Sequence, residues 1–143
     1  MTYAESRRWI ALEQNPDLRK FAGIDEPTAR AEASRARIVN ELARRDAYMA
    51  ALSASEQMMS ASPVLPASAV IEMAEWSDGP LIRWTFHQDA ASVRKFAAHF
   101  AVPVTEGPNG DGSVYTYVSA TGVVDGIQFE AYTLIDAASE VAA

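Results

Sequence analysis

The chain has 143 residues, 49% of them apolar and 22% charged, with no cysteine and a formal charge of −7. That balance belongs to a globular chain large enough to hold a core without cross-links, and the missing cysteines exclude disulfides, thiolate zinc sites, iron–sulfur clusters and a cysteine nucleophile. No apolar run approaches the ~20 residues that span a bilayer, and the polar start Met1–Arg8 lacks a signal peptide's apolar stretch, so the expectation is a cytoplasmic protein without membrane contact.

Charge is spread unevenly. Residues 1–60 hold nine basic and nine acidic side chains, whereas residues 61–143 hold three and ten. An acidic C-terminal part repels phosphates, which argues against direct nucleic-acid binding through it.

In chain order, Ala4–Gln14 reads as a short helix with Trp9 and Leu12 on one face, stopped by Asn15-Pro16. Asp17–Phe21 forms a further turn ended by Gly23, and Asp25-Glu26-Pro27 is a helix start. From Thr28 to Met59 runs the clearest helix, free of glycine and proline and rich in Ala, Arg, Glu and Leu. Along it Ala29, Ala33, Ala36, Asn40, Ala43, Ala47, Ala50 and Ala54 recur in a four-three rhythm, the seam of a coiled coil or tight helix pair. Ile38, Leu42, Met49 and Leu52 widen the seam into an apolar band. Its partner is either the Trp9 helix of the same chain or a second copy in a homodimer. Arg45 fills the missing slot of that band. The opposite face carries Glu26, Arg30, Arg37, Glu41 and Arg44, where Glu26–Arg30, Arg37–Glu41 and Glu41–Arg45, each four apart, make it an ion-paired solvent face. The alternative is a basic stripe that touches nucleic acid or an acidic partner.

Residues 61–68, with Pro63 and Pro66 among serines and alanines, read as an extended linker. The period then switches from helical to alternating. Ala69–Trp76 is one strand, Ser77–Pro80 a turn, and Leu81–His87 a second strand with Ile82, Trp84 and Phe86 on its buried side. Asp89 caps a helix over Ala90–Phe100 that has a single apolar face. Val102–Thr105 forms a short edge strand, Glu106–Ser113 a loop, and Val114–Thr121 and Ile127–Ile135 two strands joined through the turn Asp125-Gly126. The fold class is α+β: a helical arm over 1–60, then an acidic β-β-α-(β)-β-β domain over 69–136 with an antiparallel sheet on one helix. Residues 137–143 are a frayed tail.

Little in the sequence points to catalysis or to a cofactor. His87 and His99 lack metal-pair spacing, and His87 beside Asp89 is a surface histidine next to a helix cap before it is a base with its orienter. Asn109–Gly112 fails the calcium-loop pattern at its third, fifth and twelfth positions. Glu72, Glu75 and Glu130 are carboxylates on the wet side of a sheet rather than a catalytic pair. Tyr115 and Tyr117 share one strand face, and with Trp76, Trp84 and Tyr132 they raise the idea of base stacking. This half has only Arg83, Arg94 and Lys95 to support it, which leaves a protein-facing tyrosine patch or ordinary sheet positions.

The stretch Leu81–Arg94, LIRWTFHQDAASVR, and the stretch Gly122–Phe129, GVVDGIQF, resemble small, largely uncharacterised α+β proteins of actinobacteria and their phages. The resemblance covers residues 69–135, implies an α+β fold, and implies a phage or mobile-element accessory role. The resulting expectation is a non-enzymatic module that binds a protein partner, with the acidic surface imitating nucleic acid toward a basic nucleic-acid-handling protein. The alternative is a nucleic-acid-binding accessory factor that uses Arg30, Arg37, Arg44 and Arg45. An enzyme built on His87 and Asp89 comes third.

Overall fold

A computed structural model of the chain describes residues 1–73 and 79–136. The expected strand end at Trp76, Glu75, the first two turn residues Ser77 and Asp78, and the tail lie outside the described residues. The chain divides into two compact units, Met1–Ala47 and Tyr48–Ala143. Helix α3 (Glu26–Ala61) contributes its first part to one and its last part to the other.

In the first unit every helix start is fixed by a side chain. Helix α1 (Tyr3–Gln14) begins with a reciprocal pair: the Glu5 amide donates to the Thr2 hydroxyl (3.2 Å) and the Thr2 amide to the Glu5 carboxylate (2.5 Å). Asn15 closes α1 and caps α2 (Pro16–Ala22) by accepting from the Leu18 amide at 3.1 Å. Helix α2 stops at Gly23, whose φ of 68° suits a residue without a Cβ. Asp25 then caps α3, accepting from the Thr28 amide (2.8 Å) and hydroxyl (2.9 Å). The buried residues here are Ser6 and Leu12 on α1 and Ala29, Ala33 and Ala36 on α3. Arg19 donates to the Leu12 and Glu13 carbonyls at 3.2 and 2.6 Å, two of the acceptors left unpaired at the end of α1. Ion pairs Glu13–Arg37 and Arg19–Glu26 join α1 and α2 to α3.

The second unit is a five-stranded sheet with one face under helices. The strands are β1 (Ser68–Glu72), β2 (Leu81–Thr85), β3 (Val104–Pro108), β4 (Tyr115–Val124) and β5 (Ile127–Asp136), in the order β1-β2-β5-β4-β3. The α+β class read from the sequence is the observed one. The sheet is mixed, however, because β2 and β5 pair in parallel with Arg83 opposite Glu130 and Trp84 opposite Ala131. The cause is α4 (Ala90–Phe100), which carries the chain back across the sheet so that β3 starts in the direction of β2. The hairpins β3-β4 and β4-β5 then return toward β2 and place β5 beside it.

Alternation decides which face each residue takes. Ile82 and Trp84 of β2, Val118 and Ala120 of β4, and Phe129, Ala131 and Ile135 of β5 point to the covered side. There they meet Val93, Phe96 and Ala97 of α4 and Ala51, Ala54 and Met58 of α3. Phe96 lies between Trp84 and Phe129, with ring centroids 5.0 and 5.8 Å away. Each such large apolar side chain contributes roughly 1.5–3 kcal/mol on burial. Gly122 leaves room for the Phe129 ring, since a Cβ there would lie 2.6 Å from its Cζ and from Val102 Cγ1. Residues 61–68 belong to this unit and are fastened to it: the Ser62 amide bonds to the Met58 carbonyl at 2.9 Å, Val64 packs on the core, and the Ala67 amide bonds to the Thr85 carbonyl at 2.8 Å.

The buried indole of Trp84 donates from Nε1 to the Ser55 hydroxyl at 3.2 Å. Ser55→Ala strands that donor and is expected to cost about 1–3 kcal/mol in denaturant unfolding. A stability equal to wild type would show that the indole finds another acceptor.

Candidate functional site

The other face of the sheet has no helix of its own unit over it among the described residues. Period-two alternation brings Val70 and Glu72, Arg83, Glu130 and Tyr132, and Tyr115 and Tyr117 to this side from four neighbouring strands. Arg83 is its hub. Its Nη1 donates to Glu72 at 2.7 Å and its Nε to Glu130 at 3.2 Å, and its guanidinium carbon lies 5.6 Å from the centre of the Tyr132 ring. The Tyr132 ring lies 5.4 Å from that of Tyr117, whose hydroxyl donates to Glu130. A continuous belt therefore crosses the sheet from Glu72 to Tyr117, with a guanidinium, two carboxylates and two phenol rings held in fixed positions. Tyr115 and Val123 extend the face outward and are 44% and 63% exposed.

The electrostatics follow from these contacts. Burial pulls the Arg83 guanidinium down, but Glu130 and Glu72 outweigh it and hold the group above its ordinary value. For Tyr117, burial first and the Glu130 carboxylate second push the hydroxyl well above the ordinary tyrosine range. The face is thus a set of hydrogen-bonding and aromatic groups held in fixed positions by one another.

The other candidates from the sequence fall elsewhere. Arg30 bonds to Glu26 at 2.5 Å, Arg45 to Glu41 at 3.1 Å, and Arg37 to Glu13. Arg30 and Arg45 thus take the partners that four-residue spacing offers, whereas Arg37 turns to Glu13 of α1 instead of Glu41. In the alanine seam, Ala29, Ala33 and Ala36 are fully buried, Asn40 and Ala47 are half-buried, and Ala43 and Ala50 are exposed. The apolar band beside it, Ile38, Leu42, Met49 and Leu52, is exposed along its length. Asp89 is occupied as a cap, accepting from the Ser92 amide (2.9 Å) and hydroxyl (2.6 Å), so it does not orient the exposed His87. His99 rests edge-on against Phe100.

Sequence reasoning found Tyr115 and Tyr117 but not the belt to which Tyr117 belongs. The outward alternation of Arg83, Glu130 and Tyr132 was a usable signal; the adjacency of β2 and β5 was the missing piece. Among the described residues no cluster of His, Asp or Glu could hold a metal, and no helix is long and apolar enough to cross a membrane. No family model, curated protein or solved structure matches the chain.

The raised Tyr117 value has a consequence at alkaline pH. Its protonated form is favoured in the folded state, so this contribution to stability is full below the unfolded value of 10.0 and is lost as pH rises from there through the folded value. Ultraviolet titration of Glu130→Gln is expected to show Tyr117 ionising at lower pH than in wild type. An unchanged curve would remove Glu130 as a cause.

Proposed function

We propose that this chain is a non-enzymatic protein-interaction module that binds a basic partner segment on the uncovered face of its sheet. The observation that carries the reading is the belt Glu72–Arg83–Glu130 with Tyr132 and Tyr117, fixed in place and flanked by exposed Tyr115 and Val123. Tyrosine and arginine dominate protein interfaces because they supply large contact area with few torsions to freeze. The segment Tyr48–Ala143 contains three basic and eleven acidic residues, and that surplus steers a positively charged partner toward it. The sharper form, in which this unit occupies a basic site that otherwise holds nucleic acid, draws on the same surplus. The resemblance of residues 69–135 adds a phage or mobile-element accessory role. The carboxylates paired with Arg30, Arg37 and Arg45 disfavour the alternative of nucleic-acid binding along the long helix.

Titration of the isotope-labelled protein with an arginine-rich peptide, followed by amide chemical shifts, tests this. The expected shifts centre on Arg83, Tyr115, Tyr117, Glu130 and Tyr132, and weaken as salt shortens the Debye length from about 10 Å toward 3 Å. Shifts that map to other surfaces, or none at all, would contradict the reading. A gel shift with single- or double-stranded DNA at micromolar protein is expected to be blank, and a retarded band would favour the arginine stripe.

A further inference from the structure

The two edges of the sheet are built differently. Strand β3 is guarded: it ends in Pro108, which has no amide to offer, follows Gly107, and has Glu106 tied to Arg94 of α4. Strand β1, Ser-Ala-Val-Ile-Glu, has no proline, lysine or glycine. Its single charge, Glu72, lies on the outer face and is taken up by Arg83. Among the described residues β1 pairs only with β2, so the backbone groups along its other side are open to another strand. Beside that edge Tyr48, Leu52 and Met59 of α3 and Ala69, Val70 and Ile71 of β1 line a groove of ≈ 410 Å³. Tyr48 and Leu52 are 39% and 40% exposed, an apolar surface on the groove side of an unguarded strand, while Val70, 49% exposed, stands on its outer face.

We propose that β1 is a self-association edge, at which two copies of this chain pair β1 to β1 in antiparallel fashion about a two-fold axis at Val70, continuing one sheet into the other. The strand is complementary to itself in this register. Ser68 falls opposite Glu72 of the second copy, so the only charge meets a hydroxyl, whereas a parallel in-register pairing would set Glu72 against Glu72. On the groove side the exposed Ala69 leaves room for Ile71 of the second copy, and on the outer face Val70 meets Val70, a favourable cross-strand pair. Such a contact is isologous and closes at two copies. It uses the edge of the sheet rather than the tyrosine face, so it stands independently of the binding reading above. It also differs from pairing through the alanine seam of α3.

Sedimentation across the micromolar range is expected to show a dimer for the wild type and for Leu42→Lys, and a monomer for Val70→Lys with an unchanged circular dichroism spectrum. The chain has no cysteine, so one introduced thiol is a clean probe. Val70→Cys brings two thiols face to face with Cβ atoms about 4.5–5.5 Å apart, close enough to join after a small adjustment, and is expected to cross-link many times faster than Val123→Cys. This arm decides the matter if Val70→Lys fails to fold. A monomeric wild type would leave the edge to a foreign strand and overturn the proposal. So would a dimer that survives Val70→Lys or is broken by Leu42→Lys, or equal cross-linking of the two cysteine variants.

Discussion

Strand β2 serves two environments at once, and the second unit depends on how it does so. Ile82 and Trp84 are fully buried under α3 and α4, while Arg83, between them, is the hub of the opposite face. A slip of one residue in the register with β1 or β5 would put a guanidinium in the core and an indole in water. The Trp84–Ser55 bond and the Arg83 ion pairs fix the same register from the two sides. Core and outer face are therefore one decision, made by the alternation of five residues.

This coupling explains why the outer face can be both ordered and open. A lone tyrosine on an uncovered sheet samples several rotamers, and freezing it costs affinity. Here Tyr117 is held by Glu130, Tyr132 lies against Tyr117 and Arg83, and Arg83 is spanned by two carboxylates. The groups are thus set by one another. The charge surplus noted in the sequence acquires a location as well: it belongs to the unit that carries this face, while the arginines of the other unit are largely neutralised by neighbouring glutamates.

Local signals in the sequence suffice where local physics decides. Asn15-Pro16, Gly23, Asp25 and Asp89 mark helix ends by capping chemistry, and the inward set Ile82, Trp84, Phe129 and Ala131 follows from alternation alone. What stayed hidden depends on distant neighbours. The parallel pairing of β2 with β5 is set by the return path through α4, so the meeting of Arg83 with Glu130 could not be seen from either strand. The serine- and proline-rich stretch 61–68 has a linker's composition, yet Val64 and the Ala67 amide tie it to the core. The alanine seam shows the same limit. Spacing supplies a face, but burial needs something to pack on it, and Ala43 and Ala50 are exposed where Ala29, Ala33 and Ala36 are not.

On the proposed reading the tyrosine face binds a partner as well as completing the fold. Calorimetric titration of an arginine-rich peptide into Tyr117→Ala/Tyr132→Ala separates the two roles. Both rings lie on the open side, away from the Trp84–Phe96 core. The expected result is a folded double variant whose affinity is weakened at least about tenfold, the scale of a 1.4 kcal/mol loss. Undiminished affinity in a folded double variant would contradict it.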